Sequence, residues 1–364
     1  MQHVEATHSR MQDNPRALRI GIATDGFSPV GLSRKSYSIW PVMVINYNIP
    51  PWLATKKGHM MLSLIIPGPK KPSTMDIYLE PLVEELKLLW DGVRAYDAGA
   101  RCPREDRWFT LHAICMWTIH DSPGLGFISG LAVSGTRGCP TCGDHMQAQY
   151  STSLKSTYYL GHEKYLPFDH PLRAGCTDQI PPYMTMIDYC VLEARIQAGE
   201  VPRVSSGLNR VSVLLELPYW DSLLIQHLGD AMHEEGNVVK NLLQHIWGKV
   251  DTLNHRRACV EFGTWGKGLK THDYHKLIQD IIPIVIVDLG NANLRQAIWA
   301  LSKLLRWVCN KEVRLDEVDA MQIHAAETLC LLQRCLPPFF FKGQSHWLIH
   351  LVREVGLYGP VHTR

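Results

Sequence analysis

Two aspartates and a pair of adjacent glutamates are the residues of this chain best placed to do chemistry. Asp25 closes the run Leu18-Arg19-Ile20-Gly21-Ile22-Ala23-Thr24 and is followed at once by Gly26. Asp121 closes a second apolar run, Trp108 to Ile119, and is followed by Ser122-Pro123-Gly124. Glu234 and Glu235 lie in a helical pattern and project about a hundred degrees apart, so only one of them can face a shared site. An Asp-Gly pair ordinarily does no more than open a turn. Three converging carboxylates would do more, holding two divalent ions about 3.5–4 Å apart. One ion would activate a water or 3′-hydroxyl and the other would stabilise the leaving oxygen. Hard oxygen ligands select Mg²⁺ or Mn²⁺ over a soft metal.

A second group is Cys139-Pro140-Thr141-Cys142. The spacing supplies half of a tetrahedral zinc site, for which His145, His162, His170 and Cys176 are nearby candidates. The alternative is two reduced thiols at a turn. The other cysteines are isolated among apolar residues and form no ladder of disulfide spacings. His233, two residues from Glu235, points nearly opposite to it on a helix and is expected to pack or hydrogen-bond rather than share its metal.

The elements that must position these groups follow from periodicity. Arg19 to Ala23, Ile39 to Tyr47 and Met60 to Ile66 are apolar, β-branched and bounded by Pro or Gly, which predicts three strands, the first buried on both faces. Pro41 predicts a bulge or an edge in the second. Ile77 to Val93 carries Leu79, Leu82, Val83, Leu86, Leu89 and Trp90 at helical spacing. Trp108 to Ile119 reads as a fourth strand. Strand, strand, strand, helix, strand is the ribonuclease H-like order, an α/β core in which the first and fourth strands are neighbours, so Asp25 and Asp121 would emerge side by side. The expected domains are residues 16–121 as the first part of that core and 122–220 as an insertion carrying the cysteine pair. Residues 221–250 form a helix that completes the core, broken or weakened at Gly229 and Gly236, and 251–364 a helical region. Within the last, Asp273 to Ile286, Leu294 to Val308, Asp316 to Leu336 and Trp347 to Val355 carry helical spacing.

The 364 residues are 46% hydrophobic and 20% charged, with a net charge of +2. That composition is globular. It exerts no global pull on nucleic acid, so any basic footprint is local. Lys56-Lys57, Lys70-Lys71, Arg101 to Arg107 and Arg256-Arg257 are the candidates, while the aromatics among them, Trp52 and Trp108, are expected to fill the core. The first fifteen residues lack the apolar stretch of a signal peptide, and the most apolar run, Ile281 to Leu289, is too short to span a bilayer. An intracellular protein is expected.

Blocks along nearly the whole chain resemble the transposases of plant CACTA-type (En/Spm-like) transposons. They include Thr24-Asp25-Gly26-Phe27-Ser28-Pro29, Tyr37-Ser38-Ile39-Trp40-Pro41-Val42, Asn48-Ile49-Pro50-Pro51-Trp52-Leu53 and Met116-Trp117-Thr118-Ile119-His120-Asp121. Cys139-Pro140-Thr141-Cys142, Gly161-His162, Asp230-Ala231-Met232-His233-Glu234-Glu235 and Leu269-Lys270-Thr271-His272-Asp273 extend the likeness. The resemblance implies an Asp-Asp-Glu catalytic core that cuts transposon ends and joins them to target DNA in the nucleus. It assigns Asp25, Asp121 and, because the Glu follows Met-His with one residue between, Glu235 rather than Glu234. Pairing two DNA ends further implies a homo-oligomer. The sequence departs from the family pattern where Gly236 replaces a Lys and Ser28-Pro29-Val30 replaces Asn-Pro-Phe. Two readings follow: a metal-dependent DNA strand-transferase, or a catalytically inactive descendant that binds DNA or protein on the same scaffold.

Overall fold

The computed structural model describes residues 2–12, 14–28, 38–68, 72, 74–247, 271–288 and 291–361. Lys70-Lys71, Arg256-Arg257 and Cys259 lie outside them. The elements in chain order begin with α1 (Gln2–Thr7), β1 (Leu18–Thr24), β2 (Trp40–Asn46), α2 (Pro51–Ala54), β3 (Met61–Ile66), α3 (Asp76–Asp91), β4 (Val93–Tyr96), β5 (Trp108–Leu111) and β6 (Ala113–His120). Then come α4 (Ser122–Ser129), β7 (Gln147–Ser151), β8 (Ser156–Leu160), α5 (Met186–Gln197), β9 (His227–Gly229) and α6 (Ala231–Trp247). The remainder is helical: α7 (Thr271–Lys276), α8 (Ile282–Val285), α9 (Ala292–Val308), α10 (Val318–Gln333) and α11 (Gly343–Tyr358). Packing divides the chain into two units. The first comprises everything up to Leu131 with Thr185–Leu228, and the second Ala132–Met184 with Gly229 onward.

The first unit is built on a five-stranded mixed sheet of order β3-β2-β1-β6-β9. β1 runs antiparallel to β2 and parallel to β6, and β2 runs antiparallel to β3. The central pair is nearly all buried, as two-faced burial of an apolar run requires. A bulge between Val42 and Met43 lies next to Pro41, as the missing N–H demands. α3 buries Leu79, Leu82, Val83, Leu86 and Trp90, the stripe read from its spacing. Asp76 at its start is held from far along the chain by Arg210 and by the Val213 amide, 3.1 Å from Oδ1.

Three differences from the sequence reading have physical causes. The run Trp108 to Ile119 is two strands broken at His112. Residues 108–111 alternate in exposure and, among the described residues, pair only with β4 in a separate two-stranded ribbon, whereas 113–120 is buried at all but Ile119 and joins the main sheet. The segment 122–220 is not one body: α4, α5 and residues 198–220 pack with the first unit, and only 132–184 with the second. The pattern beginning at Asp221 first forms a 3₁₀ turn, Trp220–Ser222, and the strand β9. α6 starts only at Ala231, after Asp230, whose Oδ1 accepts from the amides of Met232 (3.0 Å) and His233 (3.1 Å).

The second unit is an array of helices with the β7–β8 hairpin. Its core joins Val238, Val239, Leu242 and Leu243 of α6 to Ile298, Leu301 and Leu305 of α9, Leu329 of α10 and Leu348 and Val352 of α11. α6 runs unbroken through Gly236, where a Cβ would stand 3.1 Å from the Thr271 methyl; the glycine lets α6 and α7 approach closely. Among the described residues no helix is long and apolar enough to cross a membrane.

Candidate metal centres

At the carboxyl end of the central strands, parallel register pairs Ala23 with Ile119, and Asp25 and Asp121 each follow two positions later. Strands about 4.8 Å apart therefore deliver both aspartates to one sheet edge. Asp25 is exposed. Its neighbour Gly26 is required by a close approach: a Cβ there would stand 2.5 Å from the Trp40 ring. Asp121 caps α4, its Oδ1 accepting from the Gly124 amide at 2.8 Å. His120, the last residue of β6, is 2% exposed, and its Nδ1 lies 3.2 Å from the Thr24 carbonyl. Burial pushes its pKa down to about 4.

Glu235 belongs to the second unit, on α6, and is 1% exposed. Its Oε2 lies 2.7 Å from His275 Nδ1, Gln279 Nε2 donates to Oε1 at 3.3 Å, and the Cys309 thiol donates to Oε2 at 3.6 Å. The hydrogen bond to Glu235 raises the pKa of His275. Glu235, His275 and Cys309 hold ligating atoms within 4.8 Å of one another, a group able to take an ion. Glu234 is buried as well. His233 turns instead to Asp230, Nδ1 to Oδ2 at 2.8 Å.

A more complete centre lies elsewhere in the second unit. Cys139 and Cys142 flank a turn closed by the Cys142 and Gly143 amides on the Cys139 carbonyl, at 3.2 and 2.9 Å. His346 and His350 are four apart on α11 and so share one face. All four residues are buried. Cys139 Sγ is 3.2 Å from His350 Nε2, and Cys142 Sγ is 3.3 Å from both His346 Nε2 and His350 Nε2. The two Nε2 atoms are 3.3 Å apart. Ligands at about 2.0–2.3 Å from a tetrahedral zinc are separated by about 3.3–3.8 Å, so the four atoms fit one ion. Burial pushes the Cys139 thiol up, while the hydrogen bond from Cys139 and then His350 and His346 pull Cys142 well down. A cation bound here would take both sulfurs as thiolates, with release of their protons.

The sequence reading found the cysteines but not the histidines. His162 is not one of the four; it stands behind them, Nε2 3.2 Å from His346 Nδ1. His145 is exposed, His170 pairs with Glu327 at 2.7 Å, and Cys176 is half-buried. The missed signal was His346-Trp347-Leu348-Ile349-His350, a His-x₃-His spacing in a segment already read as helical. Trp52 and Trp108 also depart from expectation. They are 69% and 48% exposed; α2 is a single turn, and β5 belongs to the two-stranded β4–β5 ribbon rather than the main sheet.

These features belong to a transposase-related chain. Residues 1–186 match the model of the transposase family tnp2, and residues 308–364 match a domain of unknown function, DUF4218. The first match spans just over half of the 364 residues, and the chain belongs to that En/Spm-like family, with a transposition-related function. The two matched regions divide the four-residue centre, cysteines in one and histidines in the other. No curated protein matches the chain.

Proposed function

We propose that this chain is the catalytic part of a transposase that cuts DNA at transposon ends and joins them to target DNA, on a ribonuclease H-like core. The observation that carries the reading is the placement of Asp25 and Asp121 at the ends of neighbouring parallel strands in a sheet of order β3-β2-β1-β6-β9. The third carboxylate is assigned by family resemblance to Glu235. The three would hold Mg²⁺ or Mn²⁺, which when bound supplies the charge that activates the attacking oxygen and stabilises the leaving one. Asp121 is oriented for that role by the Gly124 amide, 2.8 Å from its Oδ1. Exposed Lys56, Lys57, Arg101 and Arg104 supply local positive charge for phosphates. The protein acts in the nucleus as a homo-oligomer that pairs two ends.

In the second unit we assign Zn²⁺ to Cys139, Cys142, His346 and His350. A four-ligand set with no open position is structural, and it fastens a turn to a helix some two hundred residues later. One observation favours the non-catalytic reading: both oxygens of Glu235 already accept hydrogen bonds inside their own unit. Incubating duplex DNA carrying transposon termini with Mg²⁺ or Mn²⁺ separates the two readings. Cleavage by the wild type and not by Asp25→Asn supports the enzyme. Equal products from both, or none from either, supports the binding protein.

A further inference from the structure

Behind the Cys139, Cys142, His346 and His350 centre runs a line of polar side chains, from half-buried Gln333 through buried His162 to buried His346. Gln333 Oε1, from α10, lies 3.0 Å from His162 Nδ1, and His162 Nε2 lies 3.2 Å from His346 Nδ1. His346 Nε2 then faces Cys142 Sγ at 3.3 Å. His162 is 0% exposed and His346 2%. We propose that Gln333 and His162 form a proton-ordering relay that fixes the tautomer of His346, making His162 a positioning residue for the metal rather than a ligand.

The argument is a count of protons. A neutral imidazole has one N–H and one lone pair, and a glutamine oxygen only accepts. His162 Nδ1–H therefore donates to Gln333 Oε1, which leaves the lone pair on His162 Nε2. That lone pair accepts from His346 Nδ1–H, so the lone pair of His346 lies on Nε2, the atom in the four-ligand cluster. Reversing the relay would put the proton on His346 Nε2 and block it. A metal-bound histidine commonly donates its other N–H to a carboxylate, carbonyl or water; here a second histidine accepts it. The other ligand histidine is held differently. His350 Nδ1 is buried with no hydrogen-bond partner among the described residues. The relay thus acts on one imidazole of the two.

The proposal rests on the assignment of a metal to this centre, and its test separates the two. The full chain is purified with Zn²⁺, and affinity is measured by competition with a chromophoric chelator, with bound metal counted per chain. The His346 tautomer is read from ¹⁵N–¹H NMR of the imidazoles. His162→Leu and Gln333→Leu are expected to weaken zinc binding by about tenfold to a hundredfold. His162→Gln, whose amide oxygen still accepts from His346, should recover much of the loss. Gln333→Leu leaves every atom near the metal in place, so its result stands if His162→Leu misfolds. Wild-type affinity and an unchanged His346 Nδ1–H signal in Gln333→Leu would overturn the relay while leaving the metal assignment intact. A wild-type protein that takes up no zinc would overturn both.

Discussion

Asp25 and Asp121 leave the sheet at matching positions, each two residues beyond the last paired residues of parallel neighbours, Ala23 and Ile119. Nearly a hundred residues of chain separate them, yet the register fixes their backbones side by side. If they share ions with Glu235, neutralising either removes a ligand whose charge the site needs. Asp25→Asn and Asp121→Asn should each lower strand cleavage by at least about a hundredfold, the scale of losing one preorganised electrostatic group. Asp121→Asn keeps an oxygen able to accept from Gly124, so its thermal stability should change little. A cleavage defect accompanied by unfolding would point to the cap rather than the chemistry.

Gly26 offers a different lever on the same edge. A methyl there would meet the Trp40 ring, which itself packs edge-on against Phe127 at 5.4 Å between centroids. Gly26→Ala is expected to cost about 1–3 kcal/mol of stability, the usual scale of overpacking, and to weaken Mn²⁺ binding by displacing the segment that carries Asp25. Denaturant titration and metal binding measured on the same preparation check both effects.

Removing zinc from the centre proposed at Cys139, Cys142, His346 and His350 should act on the second unit. Treatment with a strong chelator, or Cys142→Ser, is expected to abolish zinc uptake and release the β7–β8 region and the cysteine turn from α11. Hydrogen exchange read by mass spectrometry should show loss of protection across residues 139–165 and 343–355. Unchanged protection there would show that the helical core alone holds these segments.

Two histidines of the first unit predict the response to acid. Burial pushes His120 down to about 4, and burial with the nearby His120 charge takes His227 to about 3. His227 Nδ1 also lies 2.6 Å from the Thr118 hydroxyl. Both folded values lie below the ordinary 6.5, so the folded state refuses protons that the unfolded chain accepts. Their contribution is present in full above pH 6.5 and is lost as pH falls toward 4 and 3, at about 1.4 kcal/mol per pH unit for each histidine. Urea midpoints between pH 7 and 5 should fall more steeply for the wild type than for His227→Gln.

Much of this architecture was legible because each step rested on local pattern. The stripe on α3, the buried β1 and the His-x₃-His helix are all visible as spacings. What spacing does not reveal is the partner. Trp108 to Ile119 looks uniform, and only the choice of β4 for its first half and β1 for its second breaks it at His112. The centre shows the same limit. Cys139 and Cys142 were read as half a site, but the completing histidines lie more than two hundred residues on, and the nearer His162 has the right chemistry one hydrogen bond too far back. Leu223, Leu224 and Leu228 fit a helical repeat with α6, but the first two lie in the irregular stretch after the Trp220–Ser222 turn and the third in β9, and Asp230 captures the amides that start the helix.

The central claim is that Asp25, Asp121 and Glu235 hold one pair of divalent ions. Electron paramagnetic resonance of the full chain titrated with Mn²⁺ tests it directly. Two coupled Mn²⁺ per chain in the wild type, lost in each of Asp25→Asn, Asp121→Asn and Glu235→Gln, is the result expected. Coupled binding that survives in Glu235→Gln would contradict the shared site and leave that carboxylate to His275, Gln279 and Cys309.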